Sequence, residues 1–400
     1  MSLDIRQLTP ADLEASFLIR SQAFNFSPSR FERARPKMRP ERMIGAFEGE
    51  RMVGTATTFD SGQYFGGRSV PMGAVAGVAV VPEHRGTGVG RQLLRVVVDQ
   101  MRERGEVIST LWPATNVPYR RTGWEVAGSR TERRVPLRAL AALPGPAETS
   151  VRLGSADEIP SLVANYDRIA RTIDGFLARN EHWWARSSDY LTGAWGSEDH
   201  HYLYIAERDG EIVGHVMYNH GESTGDDEWY SLDVHELIAA DVDATLALWR
   251  VIAGNSSVSV RATYHAGPDE PLTLLLPEQD IITREDWRWM LRLVDAAGAI
   301  AARGFPPGLT ATAHLDIVDD FAPWNAGPHV LEVKDGEGQL TPGGDGTVTI
   351  TINGLAPLYS GMASPWALAR HGFLRGGSEQ DLAALAGAFA GAAPWMVDFF

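Results

Sequence analysis

The 400-residue chain contains no cysteine, which excludes disulfides, a thiol nucleophile and thiolate metal sites together. Its chemistry must come from oxygen and nitrogen groups. Lysine is almost absent as well: Lys37 and Lys334 stand alone, and arginine carries the remaining positive charge. Long apolar runs are missing. The longest late one, Leu382 to Val397, is rich in Ala and Gly and falls short of the roughly 20 residues a membrane span requires. With no charged leader ahead of an apolar stretch, a soluble, cytoplasmic protein without a membrane partner is expected.

Charge is unevenly placed. The net is −15, yet residues 1–140 carry 21 Lys and Arg against 14 Asp and Glu, a balance of +7, and the remainder carries −22. A basic first part suits a polyanionic nucleotide, whereas an acidic remainder attracts cationic small molecules and repels nucleic acid. Ordinary solubility charge is the plainer reading of the same balance. With 44% apolar residues, a chain of 400 exceeds what one core serves, so two or three domains are expected.

The most informative run is Val78-Ala79-Val80-Val-Pro-Glu-His-Arg85-Gly86-Thr-Gly88-Val-Gly90, followed by Leu93, Leu94, Val97, Val98 and Met101 at helical spacing. Ala74 to Val80 reads as a strand that Pro82 closes, and the leucine and valine repeat reads as a helix. Gly88 and Gly90 let the backbone approach an anion with no Cβ between, at a helix start whose free N–H groups and macrodipole favour negative charge. Arg85 adds a forked cation. No Gly-Lys-Ser/Thr follows, and the glycine order differs from Gly-x-Gly-x-x-Gly, so neither a P-loop nor a dinucleotide fingerprint is present. The run reads as a strand-turn-helix cradle for a pyrophosphate.

Around it, Ile5 to Leu8 predicts a strand, Thr9-Pro10 a helix start, Ile44 to Thr58 a hairpin about Glu48-Gly49-Glu50-Arg51, and Val107 to Trp112 another strand; Leu140 to Ser150 reads as a linker. Gly49-Glu50-Arg51-Met52-Val53-Gly54 is echoed by Gly210-Glu211-Ile212-Val213-Gly214, which suggests a duplicated fold. The second copy has Asp241 and Asp243 where phosphates would sit, so it is expected to cap a helix and bind no phosphate. From Ile282 the spacing of Trp287, Met290, Leu291 and Val294 predicts a helix; the strands Ala311–Val318, His329–Lys334 and Thr347–Ile352 and two terminal helices then predict an α+β third domain. His200 and His201 point to opposite faces and form no metal site. Trp183-Trp184 reads as core or interface, Asp226-Asp227-Glu228 as a solvated loop, and Arg130 to Arg134 as a surface cluster without the aromatics that stack bases.

The Arg-x-x-Gly-x-Gly loop resembles the acyl-CoA loop of the GNAT N-acetyltransferases. End to end the chain resembles the enhanced intracellular survival (Eis) family, through His84-Arg85-Gly-x-Gly, Tyr119-Arg-Arg-Thr-Gly123-Trp124, Leu248-Trp249-Arg250 and the aromatic end Trp395 to Phe400. The resemblance implies an α/β (α+β) chain of tandem GNAT domains: an active one at 1–145, a degenerate one at 146–283 that binds no CoA, and a sterol-carrier-protein-like domain at 284–400. It implies acetyl-CoA as co-substrate and no metal, with Val78, Ala79 and Val80 along the pantetheine arm, Arg85, Gly86, Gly88 and Gly90 at the phosphates, and Asn116 and Tyr119 beside the sulfur. It further implies a polycationic amine acceptor such as an aminoglycoside or polyamine, assembly as a homohexamer, Phe24, Phe26, Asp398 and Phe399 at the substrate, and the carboxylate of Phe400 as general base; core packing explains Phe24 and Phe26 equally well. Phe399 stands where members strongly active on aminoglycosides tend to have an acid.

Acetyl transfer to an amine needs a base and an acid for the leaving thiolate, and a phenol near pKa 10 stays protonated at neutral pH. Tyr119 meets that need, although packing against Trp124 would also explain it. An α-carboxyl titrating near 3.5 is a poor base unless burial raises it, and Trp395, Met396 and Phe399 offer such burial. A purely structural tuck of the chain end, acetylation of protein lysines or N-termini, and a non-enzymatic lipid or CoA carrier remain as alternatives.

Overall fold

Thirteen strands form one sheet among the described residues, 3–193, 200–223, 225 and 228–400 of this computed structural model. Its first part runs Asp4–Gln7, Met43–Glu48, Arg51–Phe65, Arg68–Val80 and Ile108–Leu111, with the short strand Leu177–Ala178 paired to Arg51–Phe65 off this path. Its far part runs Glu125–Pro136, Arg261–Ala266, Ser231–Ala239, Glu211–Gly221, His201–Arg208 and Ser150–Leu153. Between them lies Ile282–Leu293, which pairs antiparallel with Ile108–Leu111 on one edge and with Glu125–Pro136 on the other. The two halves therefore share one ladder.

This inserted strand corrects the helix expected around Trp287, Met290, Leu291 and Val294. Residues 282–288 are exposed and 289–293 buried. Only the second stretch has strands on both edges, and its side chains enter two cores, Met290 on one face and Trp289, Leu291 and Leu293 on the other. Two-sided burial after two-sided exposure leaves no alternation to read. Residue 284, where the third domain is expected to start, lies within the strand.

On the first part of the sheet, helix Val89–Glu103 buries Val89, Leu93, Leu94, Val97, Val98 and Met101 against Ile44, Ala46, Val53 and Val75. Each such aliphatic side chain contributes about 1.5–3 kcal/mol by leaving water. In the second unit, Asp241 caps helix Val242–Ala253 by accepting from Ala244 N at 3.0 Å. Asp243 instead receives the backbone N–H groups of Ala147, Glu148 and Thr149, which ties down the linker. The third unit has a five-stranded sheet, in the order Glu337–Pro342, Gly327–Lys334, Thr310–Val318, Val348–Thr351 and Leu374–Gly376. Helices Ala296–Ala302, Ile352–Ser360, Pro365–Arg370 and Glu379–Ala388 accompany it.

Two further expectations change. Glu228 is buried and paired with Arg261 at 3.3 Å rather than solvated; Asp226 and Asp227 lie outside the described residues. Arg130 and Arg133 turn inward, to Val397 O at 3.0 Å and Glu270 at 3.2 Å, because neighbouring strands and the chain end cover Glu125–Pro136.

Arg292 staples the first unit to the third. Its fully buried guanidinium donates to Thr122 O and to Asp319 Oδ2, both at 2.7 Å, and Asp319 accepts from Phe321 N and Ala322 N through its other oxygen. Gly123 is required beside it: a Cβ there would stand 1.4 Å from Arg292 Nη1. Removing one partner of such a pair strands a charge in a dry site. We expect Asp319→Ala to lower the unfolding free energy in urea by about 3–5 kcal/mol, and Arg292→Met with Asp319→Leu to regain most of it. A single-variant loss below about 1 kcal/mol would contradict a dry pair.

Candidate active site

Strand Ile108–Leu111 pairs in parallel with Met72–Val75 and antiparallel with Met290–Leu293, then stops. On one side Arg68–Val80 runs on to Val80; on the other, residues 282–289 continue in the same direction. A gap opens in the sheet, and the edge of Ala76–Val80 that faces it has no strand partner among the described residues. On the opposite edge a bulge interrupts the register, with Thr55 against Ala79 but Thr57 against Ala76, and turns this segment at Gly77. Such an edge accepts an extended arm that carries amides.

The strand leads into the glycine turn. Gly86 (φ 79) and Gly88 (φ 94) adopt left-handed backbone with open space where a Cβ would stand. Gly88 caps helix Val89–Glu103 without any side-chain bond, so the first N–H groups of a 15-residue helix face the turn with no capping side chain. A Cβ on Gly90 would stand 4.0 Å from the Val80 side chain, and Arg85 Nε donates to Val80 O at 3.1 Å, which holds its guanidinium beside the turn.

After the short strand comes Trp112, then a brief helix, Val117–Arg120. Asn116 is exposed at its start and closes it through the backbone, accepting from Arg120 N at 2.9 Å. Tyr119 lies edge-on to Trp124, with ring centroids 6.3 Å apart, and burial pushes its phenol up to about 12. Packing against Trp124 and retention of a proton are thus the same fact.

The chain end docks into this region. Met396 N donates to Ser129 O at 3.1 Å, Ser129 N to Pro394 O at 3.2 Å, and Trp395 N to Asp174 O at 3.0 Å. Arg179 then takes Asp398 through Nε at 3.1 Å and Glu236 through Nη1 at 3.2 Å, while Glu236 Oε1 meets His215 Nε2 at 2.7 Å. The Arg179 guanidinium lies over the Tyr166 ring at 4.3 Å. Burial opposes its charge, but Asp398 and Glu236 overcome this and hold it well above the ordinary arginine value. One cation serves two carboxylates. Burial likewise works against the charge of Glu236, yet Arg179 and His215 keep it below the carboxylate range; for Asp398 burial outweighs Arg179 and pushes the carboxyl up.

Beyond this lock the last two residues part. The Phe400 ring packs edge-on against Trp183 at 5.4 Å, and the Phe399 ring sits 5.3 Å from both Trp112 and Trp287. Arg186 Nη2 donates to Phe399 O at 2.9 Å. The structure therefore brings Phe399 to Trp112, where the gap opens, sets the next residue, Phe400, on Trp183, and places Asp398 in an ion pair behind them. Phe24 is exposed at the end of helix Leu13–Phe24 and Phe26 turns onto Phe17 at 5.1 Å; neither makes a ring contact with the terminal phenylalanines among the described residues. Sequence reasoning missed Arg179, Glu236 and His215, which carry no motif. It also set Arg130 on the surface and left Trp183 unassigned between core and interface.

Two matches to the acetyltransferase (GNAT) domain cover residues 4–127 and 175–293, and a match to the sterol carrier protein domain covers 296–397. Over 390 residues, 90% of this chain and 89% of the other, the sequence is 28% identical to an uncharacterised N-acetyltransferase of Streptomyces avermitilis. Over 367 residues, 89% and 87% of the two, it is 27% identical to the N-acetyltransferase Eis of Mycobacterium bovis. A solved GCN5-related N-acetyltransferase of Kribbella flavida is 33% identical, with a TM-score of 0.87 over 100% of this chain and 98% of that one. One of Anabaena variabilis is 28% identical, with a TM-score of 0.93 over 100% of both.

Arg179→Met leaves two buried carboxylates without their cation, a loss of about 3–5 kcal/mol that falls on the docked end. Carboxypeptidase should then release Phe400 from the 400-residue chain at least about a hundredfold faster than from wild type. Equal release rates would show that Arg179 does not hold the end in place.

Proposed function

Because the chain belongs to the GCN5-related N-acetyltransferases, in the Eis-type arrangement of two GNAT domains and a sterol-carrier-like domain, we propose that it acetylates a primary amine on a small molecule by direct attack on acetyl-CoA in a ternary complex. Acetyl-CoA supplies the thioester. Val78, Ala79 and Val80 line its pantetheine arm, Arg85, Gly86, Gly88 and Gly90 take its pyrophosphate, and Asn116 flanks the arm near the sulfur. The supporting observation is that the docked chain end rests on Trp112, the residue at which the short strand stops and the gap opens.

In this reading the amine nitrogen forms a C–N bond to the acetyl carbon as the C–S bond breaks. The carboxylate of Phe400 takes the proton that the nitrogen loses, and Tyr119 gives its phenolic proton to the departing thiolate. Solvent returns a proton to the phenolate as the carboxylic acid gives its own up. The second domain takes no part in binding acetyl-CoA, since Asp241 and Asp243 occupy the position of the first domain's glycine turn. The −22 balance after residue 140 supports a second reading of the acceptor as a polycation, an aminoglycoside or polyamine.

The test is CoA release from acetyl-CoA with a panel of amines. Tyr119→Phe should lower kcat by about 100- to 1000-fold while acetyl-CoA affinity is kept. With its phenol pushed up to about 12, Tyr119 stays protonated across the working range, so the variant should lower the kcat–pH profile between about pH 6 and 9 without changing its shape. Residues appended after Phe400 should lower kcat in the same way. Full activity in either variant removes the role of that residue.

A further inference from the structure

The second unit repeats the opening of the first. Ser231–Ala239 pairs in parallel with Arg261–Ala266 only at Leu232, Asp233 and Val234, just as Arg68–Val80 pairs with Ile108–Leu111 only as far as Val75. A bulge follows on the other edge in each case: Val234 faces Tyr218 but Glu236 faces Met217, as Ala76 faces Thr57 but Ala79 faces Thr55. Residues 235–239 are thereby left, like 76–80, with one edge that no strand pairs among the described residues. With Asp241 capping the helix that follows, this opening offers no seat to a phosphate.

The chain end fills it. Trp395 bridges Ser129 in parallel, in the row that Arg261–Ala266 vacates beyond Ala266. A Cβ on Gly267 would fall on the Trp395 ring, and one on Gly175 would stand 2.7 Å from Trp395 O, so two glycines make room for this residue. Val397 is buried in one cluster with Met217 and with Ile238 of the unpaired segment. Glu236, also of that segment, shares Arg179 with Asp398. From Pro394 to Phe399 the hydrogen bonds and ion pairs run to Ser129, Arg130, Asp174, Arg179 and Arg186, and none runs to the third unit among the described residues. A ring in a glycine pocket, an aliphatic residue in a core, an acid on a cation and main-chain bonds to a strand edge are the contacts by which a groove holds an extended peptide.

We propose that this opening is a peptide-binding groove, with residues 392–400 as a separable ligand that a free peptide of the same sequence can replace. The groove does not depend on the acetyl-transfer reading; only the turnover arm of its test does. Tethering supplies the chain's own end at about millimolar effective concentration, which keeps the groove closed to other peptides in the wild type.

The test uses the 400-residue chain carrying Trp395→Ala and Asp398→Ala, with peptides of residues 392–400 as the free acid, as the amide and with Trp395→Ala, each labelled for fluorescence anisotropy. The free acid should bind the variant saturably, and wild type on the order of a hundredfold more weakly. The peptide with Trp395→Ala should bind at least about tenfold more weakly than its parent. The variant should turn over amines at least about tenfold more slowly than wild type; the free acid should restore most of that rate, and the amide should bind as well but restore none. No saturable binding up to about 1 mM by a variant that still binds acetyl-CoA, or equal binding of the parent and Trp395→Ala peptides, overturns the inference. Where the double variant fails to bind acetyl-CoA, the chain with Asp398→Ala alone carries the same comparison. Saturable binding together with a wild type that turns over no amine upholds the groove and overturns acetyl transfer.

Discussion

Ile108–Leu111 hydrogen-bonds to Met72–Val75 on one side and to Met290–Leu293 on the other, and among the described residues it is the strand through which the two parts of the large sheet meet. Because it has only four residues while both neighbours are long, the ladder is closed at one end and open at the other. The open end leaves one edge of Ala76–Val80 without a partner, puts Trp112 at the point of divergence, and exposes 282–288. A longer central strand would satisfy those backbone groups and remove the gap. The candidate site is thus a hydrogen-bonding deficit held in place by the rigid ladder beneath it.

The chain end is built into the junction of the first two units. Ser129 and Arg130 in the first grip the main chain around Trp395 to Val397, and Arg179, Glu236 and Arg186 in the second grip Asp398 and Phe399. The Trp395 ring meets Phe176 at 4.6 Å. The arginine lock is a costly design, since taking three charges out of water is unfavourable unless each finds a partner. Its effect is directional. A fork between two carboxylates, clamped against Tyr166, admits one geometry, and that sets the terminal residues to within a bond rotation or two.

The glycine turn was legible because its signal is local: glycines at fixed offsets between an apolar strand and an amphipathic helix. The same holds for the hairpin at Glu48-Gly49-Glu50 and the cap at Asp241. The inserted strand was illegible for a physical reason. Its apolar positions at 287, 290, 291 and 294 match a helical period, and its burial changes along its length rather than from face to face, so neither template describes it. Arg130 looked like surface charge because three arginines in five residues, Arg130, Arg133 and Arg134 with Thr131 and Glu132 between, usually do; nothing local announces that the last residues of the chain will cover them. The lock at Arg179 joins positions 179, 215, 236 and 398, a set that only the tertiary fold brings together.

The wall of the gap has a bearing on how the protein comes to exist. Strand Ile282–Leu293 lies between Ile108–Leu111 and Glu125–Pro136, so the first sheet keeps two bare edges until residues some 150 positions later have been made. At about 5–20 residues per second, the nascent first unit waits on the order of ten to thirty seconds on the ribosome before its own ladder can close. In that interval it presents unpaired backbone edges to whatever is near, which makes this step of synthesis the natural point for a holding chaperone to act and makes the first unit a poor candidate for exchange between genes as a self-sufficient module.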